Sequence, residues 1–147
     1  MKVAIVVYSE SGHTLEVARQ LRKRLKHLQH EADILRIQSS ASRKKLTATP
    51  SIEGYDALVL GAPVHALTLA RPMKRFLDSL PMLGRMPVGV YVTQQFKSGL
   101  FGGNRALRYF RRRLQSREAT LTDGGIVHWS SKAKHKQIET VVERLLP

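Results

Sequence analysis

At 147 residues, 42% hydrophobic and 24% charged, the chain fits one domain with a genuine core and is too apolar for disorder. It has no cysteine, which excludes disulfides, thiolate metal sites and cysteine nucleophiles. Twenty-five Lys+Arg against 11 Asp+Glu leave a net charge of +14, a surface that attracts nucleic acid, anionic lipid or acidic proteins.

The apolar run after Lys2 is too short for a signal sequence or a membrane span, so a cytoplasmic location is expected. That run, V-A-I-V-V-Y from Val3, ends in S-E-S-G-H-T, and an amphipathic helix follows over residues 14–29, with Val17, Ala18, Leu21, Leu25 and Leu28 at helical spacing. Strand, then Ser/Gly/Thr loop, then helix is how an open α/β sheet makes a phosphate cradle, with hydroxyls and backbone N–H groups converging at a helix N-terminus. Residues 32–37 alternate and predict a second, edge strand, while residues 39–54, rich in Ser, Thr and Lys, predict a loop with at most one helical turn.

Residues 55–61 (Y-D-A-L-V-L-G) form a continuous apolar run, the mark of a central parallel strand, and Ala62-Pro63-Val64-His65 is expected to break it. Met73, Phe76, Leu77 and Leu80 mark a helix starting near Arg71-Pro72 and stopped by Pro81. Residues 88–93 read as a fourth strand, followed by a long loop over residues 94–104. Leu107, Phe110 and Leu114 set the inner face of the next helix, whose outside carries Arg105, Arg108, Arg111, Arg112 and Arg113. Residues 119–128 predict a fifth strand with a bulge or bend at Asp123-Gly124-Gly125, and Ile138, Val141, Val142 and Leu145 define a closing helix. Trp129 is expected to pack at a sheet edge.

Alternating strands and helices without repeats or linkers imply one domain over residues 1–147, a parallel sheet covered on both faces. Ligands of such sheets bind beyond the carboxyl ends of the strands, where strand order reverses. Three loops qualify: residues 9–14, 62–68 and 93–103. His13, His65 and His128 fall at the same edge, but no acidic residue completes a ligand set, and no metal site is expected. There is no Walker loop, nucleophile elbow or dinucleotide glycine fingerprint.

The motif Ser9-Glu10-Ser11-Gly12-His13-Thr14, with Ala18 behind it, resembles the phosphate loop of the flavodoxin family. Gly61-Ala62-Pro63-Val64-His65, leading into Pro72 and Phe76-Leu77-Asp78, is similar to that family's second flavin loop and its helix. Gly102-Gly103, with Ala106, Leu107 and Leu114, resembles the third loop of short members. The resemblance implies a flavodoxin-like three-layer α/β sandwich, a five-stranded parallel sheet in the order 2-1-3-4-5, and FMN as cofactor. Carried across by position, Ser9, Glu10 (through its N–H), Ser11, Gly12, His13 and Thr14 bind the phosphate. Ala62, Pro63, Val64, His65, Thr93, Gln94, Phe96, Phe101 and Gly102 surround the ring. The Glu10 carboxylate is expected to point outward, and a protonated His13 to add a charge-assisted bond.

The ring site departs from the family pattern. His65 and Leu67 on one loop, with Phe96 and Phe101 on the other, replace the usual aromatic sandwich, which implies a looser grip on the flavin. Arg71, Lys74, Arg75 and Lys97 rim the site and favour an anionic reduced flavin. The resemblance therefore implies an FMN-binding electron-transfer flavoprotein, with no acid/base or nucleophilic residue required. Its partner is a redox protein or quinone, acidic or membrane-associated. Two other readings stand beside it: a flavin-dependent reductase or oxidase acting on a quinone or porphyrinogen, and a basic flavin-free module for nucleic acid or membrane. For the last, the arginine-rich helix lacks aromatic interleaving or a base-reading motif, which makes nucleic acid the weaker expectation.

Overall fold

The computed structural model describes residues 1–95 and 102–147. Its elements run β1 (Lys2–Val7), α1 (His13–His27), β2 (Glu31–Arg36), β3 (Gln38–Ser39), β4 (Leu46–Ala48), β5 (Ala57–His65), β6 (Thr68–Leu69), α2 (Arg71–Ser79), β7 (Pro87–Gln94), α3 (Gly103–Ser116), β8 (Thr120–His128) and α4 (Lys134–Leu145). The main sheet has the order β2-β1-β5-β7-β8, every neighbouring pair parallel. Counting the five long strands, this is the order 2-1-3-4-5 expected from the sequence.

Side chains alternate across a strand, so each central strand feeds two cores. Ala4 and Val6, Leu58 and Leu60, and Val88, Val90 and Val92 pack under α2 and α3 with Met73, Phe76 and Phe110. Val3, Ile5, Val7, Val59 and Tyr91 pack under α1 and α4 with Leu21, Leu25, Ile138 and Val142. The result is three layers. Among the described residues, no helix is long and apolar enough to cross a membrane.

α1 and α3 end alike. Gln29 (φ 66°) and Glu118 (φ 58°) take the left-handed position after each helix, and the next residue's N–H, from His30 or Ala119, reaches back to the carbonyl of Leu25 or Leu114. These bonds close the Schellman arrangement without glycine.

The bulge expected in the fifth strand is present. Val90 pairs with Asp123 and Tyr91 with Gly125, leaving Gly124 as the extra residue. Gly125 sits at φ 102° and donates its N–H to Asp123 Oδ1 at 2.8 Å.

Two expectations are corrected. Ala62-Pro63-Val64-His65 does not break the third long strand. Pairing with β7 continues through Ala62–Val92 and Pro63–Thr93, and the strand then folds back on itself, Val64 opposite Leu69 and His65 opposite Thr68. The turn residues Ala66 (φ 48°) and Leu67 (φ 65°) both adopt positive φ, the two-residue hairpin geometry that normally selects Asn or Gly. Residues 39–54 hold no helical turn. The short strands β3 and β4 pair antiparallel there, a hairpin lying beyond β2 in sequence.

Tyr91 needs the glycine at position 61. A Cβ there would stand 2.2 Å from Tyr91 Cζ and 2.5 Å from its hydroxyl oxygen, and the ring, fully buried, has nowhere to retreat. Gly61→Ala should therefore destabilise the protein by about 2 kcal/mol or more through overpacking. Urea denaturation measures this; a midpoint unchanged from the parent would show that the ring can shift.

Candidate functional site

Beyond the carboxyl end of β1 the chain turns through residues 8–12 into α1. Gly12 caps the helix in the left-handed region (φ 90°), with nothing within 4 Å of where a Cβ would stand, and accepts the Glu16 N–H at 3.0 Å. Conformation rather than crowding calls for glycine here. Ser9 Oγ is buried and has no hydrogen-bond partner among the described residues. A buried hydroxyl left unmatched costs about 1–3 kcal/mol. Ser11 is exposed.

Thr14 is different. Its hydroxyl is buried and shares a 2.8 Å hydrogen bond with the hydroxyl of Thr93, at the end of β7. The fully buried Tyr91 donates its phenolic O–H to the Thr14 carbonyl at 2.7 Å. The first turn of α1 is thus fastened to β7 across β5, bringing the first loop to the point where the strand order reverses. Burial pushes the Tyr91 phenol up, so it remains a donor.

Glu10 does not simply point outward. Its carboxylate accepts from Arg43 Nε at 2.5 Å and Nη2 at 2.8 Å, accepts from the Tyr8 hydroxyl at 2.5 Å, and stands 3.6 Å from His65 Nε2. These contacts turn it sideways and tie the first loop to the residues before β4 and to the end of β5. The Arg43 guanidinium, helped by the Tyr8 hydroxyl, holds the carboxyl down at about 2 against the opposing effect of burial.

His13 packs against the residue that follows β8. Its ring stacks on Trp129, centroids 4.1 Å apart and planes 12° from parallel, while Lys134 Nζ lies 4.6 Å from the Trp129 ring centre. Burial first, and the Lys134 charge second, lower the imidazole's affinity for a proton. The backbone of Trp129 is held by its main-chain N–H, which donates to the Gln94 main-chain carbonyl at 2.8 Å.

On the second loop, His65 Nδ1 is buried without a hydrogen-bond partner among the described residues, and the ring meets Tyr8 edge-on at 6.2 Å. Burial lowers its affinity for a proton, with Glu10 opposing and Arg43 adding to that effect. Ala62 is buried, and Pro63 accepts the Ala70 N–H at 3.1 Å. Val64 is partly buried against the α2–α3 core.

The third loop meets the second at Gly102. A Cβ on Gly102 (φ 97°) would fall 2.3 Å from the Leu67 carbonyl oxygen, and one on Gly103 would fall 2.6 Å from Gln94 Oε1. The hairpin tip, the end of β7 and the start of α3 therefore converge. Phe96, Phe101 and Lys97 lie outside the described residues.

Thr14 meets Thr93, Glu10 meets His65, and Leu67 meets Gly102, so contacts join all three sequence-defined loops. Sequence reasoning missed Arg43, Tyr91 and Lys134 as neighbours of these loops, and placed Trp129 only at an edge. The position of Trp129 directly after a strand that ends at this edge was the available signal. Of the cations expected at the rim, Arg71 and Arg75 are exposed, and the Lys74 ammonium, half-buried, is destabilised by burial and by its neighbours Arg105 and Arg71.

A family model described as a flavodoxin domain matches residues 4–99. No curated protein matches the chain. Among solved structures, the chain is similar to oxidised flavodoxin 1 from Bacillus cereus, with a TM-score of 0.74 at 20% identity, over 99% of this chain and 95% of that one. It is also similar to a flavoprotein in complex with FMN from Lactobacillus acidophilus, with a TM-score of 0.67 at 16% identity, over 85% and 91% of the two chains. A third is rubredoxin oxygen:oxidoreductase from Desulfovibrio gigas, with a TM-score of 0.72 at 13% identity, where the match takes 98% of this chain and 35% of that one.

Because the Glu10 carboxyl sits at about 2 in the folded chain against 4.5 ordinarily, its contribution to stability is present above pH 4.5 and lost as pH falls through 2. The group is partly exposed, so solvent screening keeps that contribution near 1 kcal/mol or below. Acid-induced loss of stability below pH 4.5 should be shallower in Glu10→Gln than in the parent. Urea midpoints measured through this range check it, and equal slopes would overturn the assignment.

Proposed function

Because this chain belongs to the flavodoxin domain family, we propose that it is an FMN-binding electron-transfer protein, its cofactor phosphate held by residues 9–14. The observation that carries this reading is the buried Ser9 Oγ, without a hydrogen-bond partner among the described residues, on the loop that ends in the left-handed Gly12 cap of α1. Neutral hydroxyls and backbone N–H groups satisfy a phosphate dianion without a lysine in the loop. Ser9 and Ser11 would supply hydroxyls, Gly12 and the residues after it backbone donors, and His13 a ring N–H steadied by Trp129. Thr14 would serve mainly by fixing the helix start to Thr93.

The flavin would supply reversible electron exchange, and the protein binds, positions and tunes it. Residues 62–65, Thr93, Gln94 and Gly102 form the ring side of this reading, with Phe96 and Phe101 as the proposed stacking groups. Arg71, Lys74 and Arg75 favour negative charge on the ring. The same charges suit an acidic redox partner or an anionic membrane surface bearing a quinone, and the reading places the protein in the cytoplasm.

Absorbance of the purified protein tests the reading directly. Flavin bands, or their appearance when the apo-protein is titrated with FMN, support it; a colourless protein that takes up no FMN overturns it. Ser9→Ala should weaken FMN binding about 10- to 100-fold, the loss of one hydrogen bond to a charged group, and leave riboflavin binding unchanged.

The rim charges give a second test. With roughly 0.3 kcal/mol each after screening, removing two of them should lower the one-electron potential by about 20–30 mV. Spectroelectrochemistry of Arg71→Gln/Lys74→Gln measures it, and an unchanged potential would remove these residues from the tuning role.

A further inference from the structure

A cleft of about 290 Å³ lies between the β5–β6 hairpin, the start of α2 and the segment before β4. Its polar lining is Ser42, Arg43, His65, Thr68, Arg71 and Lys74, and none of its lining residues is acidic. The nearest carboxylate contact is that of Glu10, which takes two N–H groups of Arg43 and faces His65 Nε2. Arg71 and Lys74, one turn apart on α2, form no ion pair among the described residues. The buried Leu69 adds an apolar surface.

We propose that this cleft is a second anion site, separate from the phosphate loop, that binds a small organic dianion of the di- or tricarboxylate type. Three features favour that class. The volume is at the small-molecule end of the range for ligand pockets, too tight for a folded partner. Two cations on one helix turn, without a carboxylate partner among the described residues, match two negative groups a few ångströms apart. A guanidinium fork and the hydroxyls of Ser42 and Thr68 suit planar carboxylates, which accept in-plane bonds from both.

Burial and the adjacent Arg105 and Arg71 charges destabilise the Lys74 ammonium, a cost that a bound anion relieves. The unmatched His65 Nδ1 is a further polar atom for the ligand or an intervening water to satisfy. His65 belongs both to this cleft and to the ring-side loop, so a ligand here sits next to the proposed electron-transfer site. The anion site itself does not depend on the flavin reading.

Citrate is the probe, titrated into the purified full chain at constant ionic strength and followed through the His65 imidazole and Thr68 amide resonances. Saturable shifts are expected, with binding weakened about tenfold or more in Arg71→Gln/Lys74→Gln. Lys23→Gln/Lys26→Gln removes the same charge from α1, on the opposite face of the sheet, and should leave citrate binding within about twofold. Shifts that fail to saturate, or equal losses in the two double variants, would reduce the effect to the protein's overall positive field and overturn the proposal. Pyrophosphate binding more tightly than citrate would overturn the carboxylate assignment. If FMN uptake fails, the citrate titration remains readable; if citrate fails, the flavin reading is untouched.

Discussion

The buried knot of Thr14, Thr93 and Tyr91 organises this protein. A hydroxyl pair at 2.8 Å and a phenol-to-carbonyl bond at 2.7 Å fix the first turn of α1 against β7, passing over β5 at the residue that has no side chain. In a dry interior such bonds are short-range and directional, and losing either partner strands the other. The helix start is therefore held at one place on the sheet. Everything proposed about an anion at residues 9–14 depends on that placement, because a helix N-terminus acts only within about its first turn.

Much of this was legible beforehand because it is local. β-branched runs announce strands, helical spacing announces which face of α1, α2, α3 and α4 is buried, and Asp123-Gly124-Gly125 announces a bulge. What escaped is tertiary. Ala66 and Leu67 carry no turn signature, so the hairpin they close is visible only once Val64 and His65 are seen paired with Leu69 and Thr68. The β3–β4 pair hides in a segment of Ser, Thr and Lys with no alternation. The partner of the Glu10 carboxylate, Arg43, lies 33 residues away and nothing nearby in sequence names it. The stacking of His13 on Trp129, beside Lys134, likewise depends on residues at the far end of the chain.

Charge is distributed with the same economy. Of the cations near the three loops, Arg43 is matched by Glu10, and Lys134 lies over Trp129. Arg71 and Lys74 lack a carboxylate among the described residues, and Lys74 instead sits 4.6 Å from the Tyr109 ring centre. Arg113, further along α3, is paired with Asp78 at 2.6 Å. Overall net charge sets long-range attraction.

The strained hairpin tip has a consequence for how this protein responds to selection. Two non-glycine residues in left-handed backbone cost on the order of 1 kcal/mol each, a reserve that asparagine at 66 or glycine at 67 would release. In laboratory evolution toward heat resistance these two codons should be early winners. The same replacements would remove the Leu67 side chain or loosen the peptide that lies against Gly102, so gains in durability at this spot would trade against the fit between two neighbouring loops.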